Sequence, residues 1–208
     1  MEEGYIKFKA KWERCPALPV RFIRELNQWR QKLYQLNLIG AHADGVGFGN
    51  ISWRFGKTDQ FIISGSGTGS LETLNISHYS LVTNIDVEHN RLECSGPVIA
   101  SSESMSHGVI YRECPTVKGI IHVHHKSLWK KLKQKVPTTG RDAAYGTPEM
   151  AYEIIRLLKE TDLTDRKIFV MEGHEEGIFT FGGSLNEAGG ILLEYHKKSG
   201  FQTFPPPA

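Results

Sequence analysis

Ser101-Ser102-Glu103-Ser104-Met105-Ser106-His107, followed by Gly119-Ile120-Ile121-His122-Val123-His124-His125, is the stretch from which fold and chemistry are both read. Its second part reads as a buried strand, an apolar β-branched run reached through Pro115 and Gly119. Side chains alternate faces along a strand, so His122 and His124 share one face and Val123 takes the other. Two imidazoles one strand repeat apart can reach a single metal ion, while His125 is expected to face away. Upstream, Ser101 or Ser102 is expected to cap a short helix running to Tyr111, with Glu103 in its first turn. Catalytic zinc typically takes three protein ligands and leaves one position open. A lone His-x-His in a strand is more often incidental than metal-binding. Its company here shifts the balance: Glu103 upstream, and His174 downstream at the end of the apolar strand Lys167–Met171, between Gly173 and Glu175-Glu176-Gly177.

Outward from this centre the chain alternates strands and helices. A charged leader to Pro19 precedes apolar residues at Val20, Ile23, Leu26, Trp29, Leu33 and Leu36, the spacing of an amphipathic helix ending near Gly40. Ile51–Phe55 and Gln60–Ser64 read as a hairpin. The second strand opens into Gly65-Ser66-Gly67-Thr68-Gly69-Ser70, where glycines and hydroxyls expose N–H and O–H donors together. Such a loop suits an anion, phosphate above all; no Gly-Lys-Ser/Thr follows, so it is not a Walker loop. Strands at Leu81–Val87 and Arg91–Cys94 lead to the central stretch. After it come an exposed helix from Ser127 to Val136 and a helix announced by Thr147-Pro148-Glu149. A strand at Ile178–Phe181 precedes a capping box, Ser184 to Glu187, that opens a helix through Tyr195. The tail around Phe204-Pro205-Pro206-Pro207 is read as loose or docked on a neighbour.

No linker or repeat divides the 208 residues, which are most simply one domain, with residues 1–18 and 201–208 peripheral. The 25 basic and 23 acidic residues leave a net charge of only +2, which gives no reason to invoke nucleic acid or a membrane surface. The start, Met1-Glu2-Glu3-Gly4-Tyr5, lacks the basic and apolar regions of a signal peptide, and no apolar run approaches a membrane span. Cys15, Cys94 and Cys114 are isolated and odd in number, which fits a reducing cytoplasm.

Taken together these parts resemble the class II aldolase/adducin family, which includes zinc-dependent sugar-phosphate aldolases, ribulose-phosphate epimerase, methylthioribulose-phosphate dehydratase and the adducin head. The resemblance is carried by Gly49-Asn50-Ile51-Ser52, by Phe61-Ile62-Ile63-Ser64-Gly65-Ser66-Gly67 and by Ser101-Ser102-Glu103 with His107, Ile110-Tyr111 and Pro115. His122-Val123-His124 and Tyr145-Gly146-Thr147-Pro148-Glu149-Met150-Ala151 complete it, so that it runs in order from about residue 20 to 196. It implies an α/β fold: a single three-layer α/β/α domain around a mainly antiparallel sheet. It implies a homotetramer with one zinc per subunit on His122, His124 and His174 and with Glu103 beside it as acid/base. It also implies that Asn50, Ser66, Gly67, Ser101 and Ser102 bind the phosphate of a small sugar substrate.

The chemistry so implied is that of a zinc-dependent lyase acting on a short phosphorylated ketose through a metal-stabilised enediolate, by aldol cleavage or dehydration. Two departures from the family pattern stand out. Glu175 and Glu176 separate His174 from Gly177, making that loop longer and more acidic than the family's. Tyr145 follows His125 by only twenty positions (145 − 125), in a segment that is longer in the aldolases and there supplies a catalytic tyrosine. Glutamate at position 103 resembles the aldolases and the dehydratase, whereas the epimerases carry aspartate there. The alternatives are a sugar-phosphate epimerase, a non-catalytic adducin-like interaction domain, or, more distantly, a zinc hydrolase. Adducin heads have lost the histidines that this chain keeps, and His-x-His hydrolases sit on barrels usually longer than this chain.

Overall fold

The computed structural model describes residues 5–201. In chain order the elements are β1 (Lys9–Arg14), α1 (Arg24–Gln35), β2 (Gly40–Ala41), β3 (Gly47–Phe48), β4 (Asn50–Arg54), β5 (Phe61–Ser64), β6 (Tyr79–Asp86) and β7 (Arg91–Gly96). Next come α2 (Ser104–Glu113), β8 (Gly119–His124), α3 (Lys126–Leu132), α4 (Pro148–Glu160), α5 (Leu163–Arg166), β9 (Ile168–Val170), β10 (Gly177–Gly182) and α6 (Leu185–Lys198). Eight strands form one sheet in the order β1-β7-β6-β5-β4-β8-β10-β9. Every pairing in it is antiparallel except β1 with β7.

The alternation of β8 divides two cores. Ile120 joins Phe61, Ile63, Val109, Ile110, Ile154 and Phe179 on the face covered by α2 and α4. Ile121 and Val123 join Ile51, Ile62, Leu26, Leu128 and Leu192 on the face covered by α1, α3 and α6. Two apolar layers between one sheet and two sets of helices give the expected α/β/α sandwich. His122 and His124 stand on the α2/α4 face, as strand alternation required.

Several expectations change in detail. The leader contains β1, an edge strand whose six residues are all exposed and which pairs Lys9 with Arg91 through Arg14 with Gly96. The first helix is shorter than its periodicity suggested: a 3-10 turn covers Val20–Phe22, α1 begins at Arg24, and Asn37 turns the chain at φ 55°. The helix after His125 is likewise only Lys126–Leu132, with Leu128, Trp129 and Leu132 buried. At α6 the Ser184 hydroxyl accepts from the Glu187 N–H, but the Glu187 carboxylate turns to the Gly183 N–H and Lys167 Nζ instead of closing the box. By contrast Thr147 caps α4 with Pro148 at its first position, as read. The proline-rich tail lies outside the described residues.

Candidate metal and phosphate site

The site gathers at one end of the sheet. His122 and His124 close β8; Asn50, the first residue of β4, is paired with His122, and Gly177, the first of β10, with His124. The glycine loop leaves the end of β5. Gly49 makes the approach possible: its φ is +73°, and a Cβ there would lie 3.1 Å from the His122 carbonyl oxygen.

His122, His124 and His174 offer ring nitrogens that all lie within 4.8 Å of one another, and all three residues are buried. Nε2 of His122 and Nε2 of His124 are 3.2 Å apart. Two nitrogens held tetrahedrally by one zinc at ordinary bond lengths would be separated by about 3.3 Å, so the pair fits that metal. His122 donates from Nδ1 to the Ile178 carbonyl at 3.3 Å, which leaves its Nε2 lone pair toward the cluster. Burial, reinforced by the neighbouring histidines, holds His122 and His124 well below the usual histidine range, and burial lowers His174 to about 3. Neutral imidazoles are the form a divalent cation requires.

The insertion of Glu175 and Glu176 does not displace the third histidine. Glu176 takes φ 73°, the Gly177 N–H returns to the His174 carbonyl, and Glu175 and Glu176 lean outward toward Lys126 Nζ at 3.3 and 3.8 Å. Gly177 then passes so close that a Cβ would lie 2.9 Å from His174 Cδ2 and 3.2 Å from His122 Cε1.

Glu103 departs from its expected place. It is the N-cap residue of α2 and not part of the first turn, while the Ser101 hydroxyl accepts from the Glu103 N–H and the Ser104 N–H bonds the Ser101 carbonyl. Neither Ser101 nor Ser102 is itself the cap. The carboxylate is 2 % exposed; its Oε2 accepts from Ser106 Oγ at 2.8 Å and its Oε1 lies 3.6 Å from His174 Nε2. A carboxylate at a helix N-terminus is electrostatically favoured.

The five residues read as phosphate ligands, Asn50, Ser66, Gly67, Ser101 and Ser102, line one cleft with Glu103, His122, His124 and His174. Behind them runs a hydrogen-bond chain absent from the sequence reading. Asn50 Nδ2 donates to Ser101 Oγ at 3.0 Å, so Asn50 Oδ1 must accept from His107 Nε2 at 2.7 Å. His107 Nδ1 is then an acceptor for Ser52 Oγ at 2.7 Å, and Ser52 accepts from the Tyr111 hydroxyl at 2.8 Å. His107 is fully buried and its pKa is lowered to about 3 by burial, so this polarity is stable. Because Ser101 Oγ accepts from Asn50 and from the Glu103 N–H, its own proton is left to donate to a ligand.

Two further groups join the site. Tyr145, read only as part of a helix-start motif, lines the cleft with its ring centroid 4.6 Å from that of His174. Lys7 places Nζ 3.7 Å from the Tyr145 ring centroid; burial lowers the lysine's pKa and the charge of Glu103 raises it. Lys7 sits just before an edge strand with no periodicity, and nothing in the sequence marks it. His42 and Phe48 also approach: their rings are tilted against each other with centroids 4.7 Å apart, and lie 6.2 and 5.4 Å from the His124 ring. Among the described residues no helix is long and apolar enough to cross a membrane.

Comparison with known proteins agrees with this fold. Structures similar to most of the chain include an L-fuculose 1-phosphate aldolase (TM-score 0.65, 19% identity, 92% of each chain). A sugar-phosphate aldolase from Thermotoga maritima is also similar (TM-score 0.67, 16% identity, 87% of this chain and 93% of that one). At these identities the likeness is one of fold. A probable L-ribulose-5-phosphate 4-epimerase of Mycoplasma pneumoniae is 28% identical over 101 residues, spanning 48% of this chain and 40% of that relative's length. The profile of the class II aldolase and adducin N-terminal domain matches residues 31–198. The chain belongs to the class II aldolase and adducin family.

Proposed function

We propose that the protein is a metal-dependent lyase of the sugar-phosphate class, cleaving or dehydrating a short phosphorylated ketose. The observation that supports this best is the convergence in one cleft of three neutral histidines, a buried carboxylate and a loop of glycines and hydroxyl residues. His122, His124 and His174 would hold one divalent cation per subunit, zinc by the donor set. Bound there, such an ion supplies Lewis-acid stabilisation of the negative charge that develops beside a carbonyl.

The rest falls to the chain's own residues. Ser66, Gly67, Ser101, Ser102 and Asn50 hold the phosphate and fix the far end of the substrate, which places the reacting carbons. Glu103 moves the proton at the carbon beside the carbonyl, with Ser106 donating to its carboxylate to hold it in place. Tyr145 is the tyrosine present in the cleft, from the same chain. The 28% match to an epimerase favours sugar-phosphate epimerisation as the second reading. Assembly as a homotetramer and a cytoplasmic location belong to the same proposal. Residues 1–208 are proposed as one domain, to whose sheet the leader contributes β1.

The test is metal analysis of the purified protein followed by a screen of phosphorylated and unphosphorylated short ketoses. Stoichiometric metal with turnover confined to the phosphorylated series is expected. A metal-free protein, or one indifferent to the phosphate, contradicts the proposal.

A further inference from the structure

The glycine loop is held from behind by a buried cation. Arg30, on α1, is 2 % exposed. Its guanidinium donates to the carbonyls of Thr68 (3.1 Å), Gly69 (2.9 Å) and Glu72 (2.7 Å). Tyr34, one turn further along, donates its hydroxyl to the Ser70 carbonyl at 3.4 Å, and its ring lies 4.6 Å from the guanidinium carbon. Among the described residues no carboxylate pairs with Arg30. A buried ion is costly unless a charge or a full set of hydrogen bonds answers it, and among the described residues carbonyl dipoles and the Tyr34 ring do so.

Those dipoles have a second end. In a peptide unit the C=O and the N–H point in opposite directions, so carbonyls drawn to Arg30 turn the N–H groups of Gly69 and Ser70 away from it. Of these two, the Gly69 N–H bonds to no other described residue, and Gly69 lines the cleft with Ser66, Gly67 and Thr68. A buried cation, then peptides whose carbonyls it holds, then a backbone donor beside the cleft is the order in which a protein builds attraction for an anion.

We propose that Arg30 is the counter-charge of the phosphate loop, a positioning residue that makes the cleft select a doubly charged phosphomonoester over a neutral or singly charged group. The inference rests on the proposed phosphate role of this cleft and deepens it. Arg30 acts through the loop: it fixes which way the peptides point and adds a full positive charge behind them. That charge is satisfied when the dianion is bound, and only partly satisfied by carbonyls when it is not.

The experiment uses the metal-loaded full chain and calorimetric titration with inorganic phosphate near pH 8. Arg30→Gln and Arg30→Lys are compared with wild type, alongside dihydroxyacetone phosphate and dihydroxyacetone as ligands. Arg30→Gln should weaken phosphate and the phosphorylated ketose at least tenfold and leave the unphosphorylated ketose unchanged. Arg30→Lys, which keeps the charge but cannot fork to three carbonyls, should recover most of that loss. Equal weakening in both variants would make Arg30 a brace for the loop and no more, and unchanged phosphate affinity in Arg30→Gln would also overturn the proposal. Should the variants fail to fold, wild type decides: methyl phosphate should bind at least tenfold tighter than methyl sulfate, which has the same shape and one charge less. Equal affinity for the two overturns the inference while leaving an anion site in place. No phosphate binding by wild type overturns it together with the functional proposal.

Discussion

Nε2 of His122 and Nε2 of His124 face each other at 3.2 Å inside the protein, with Phe179 stacked on the His122 ring at a centroid distance of 4.3 Å. Two buried imidazole nitrogens so close need a shared proton or a shared cation between them. His122→Ala or His124→Ala should therefore abolish metal retention through gel filtration, read by elemental analysis. Full occupancy in the double variant would remove the basis of the site.

Phe179 supports that geometry from below, packed against Phe169 at 5.0 Å and His107 at 5.1 Å. Phe179→Ala should cost about 3–5 kcal/mol of stability from the cavity it leaves, and should loosen metal binding in the fraction that folds. A denaturant midpoint equal to wild type would contradict the packing described.

The phosphate end can be probed through Ser102 and Asn50. Losing a hydrogen bond to a charged group costs about 1.5–3 kcal/mol, so Ser102→Ala and Asn50→Ala should each weaken inorganic phosphate by roughly ten- to a hundredfold. Calorimetry on the metal-loaded protein reads the change, and wild-type affinity in both variants would count against these ligands.

His107 gives the fold a pH dependence of known sign. Its pKa is lowered to about 3 by burial, below the ordinary value of 6.5. The unfolded chain therefore binds a proton that the folded one refuses, so stability is complete above about pH 6.5 and falls as the pH drops toward 3. The slope from this one residue is about 1.4 kcal/mol per pH unit. Thermal melts of the metal-free protein should show that decline, to which His122, His124 and His174 also contribute, and His107→Gln should make it shallower. An unchanged slope would mean that the histidine is not held neutral by the chain from Tyr111 to Asn50.

Much of the site was legible because it depends on local rules. Strand alternation put His122 and His124 on one face, and Thr147-Pro148 announced α4. What sequence missed depends on long-range geometry. β1 has no periodicity because neither of its faces is buried, so it read as a leader. Arg30 is not among the apolar residues that mark the first helix, and only the fold shows its head under the glycine loop, 38 residues from Thr68. Glu103 slipped to the cap position because the backbone turns through Ser101 before the helix starts. The pairing of Ser52 with His107, 55 residues apart, needed the register of β4 beside α2.

The central claim is that Glu103 moves a proton beside the carbonyl of a bound phosphoketose. Glu103→Gln keeps the side chain's shape while removing the proton acceptor, and general acid–base groups contribute about 10²- to 10⁴-fold. The direct measurement is deuterium exchange into dihydroxyacetone phosphate, followed by NMR with the metal-loaded protein. Wild type should exchange the proton beside the carbonyl, and Glu103→Gln should exchange it at least about 10²-fold more slowly while still holding metal and phosphate. A fully loaded wild type that catalyses neither exchange nor cleavage, or a Glu103→Gln variant that exchanges at the wild-type rate, would contradict the account.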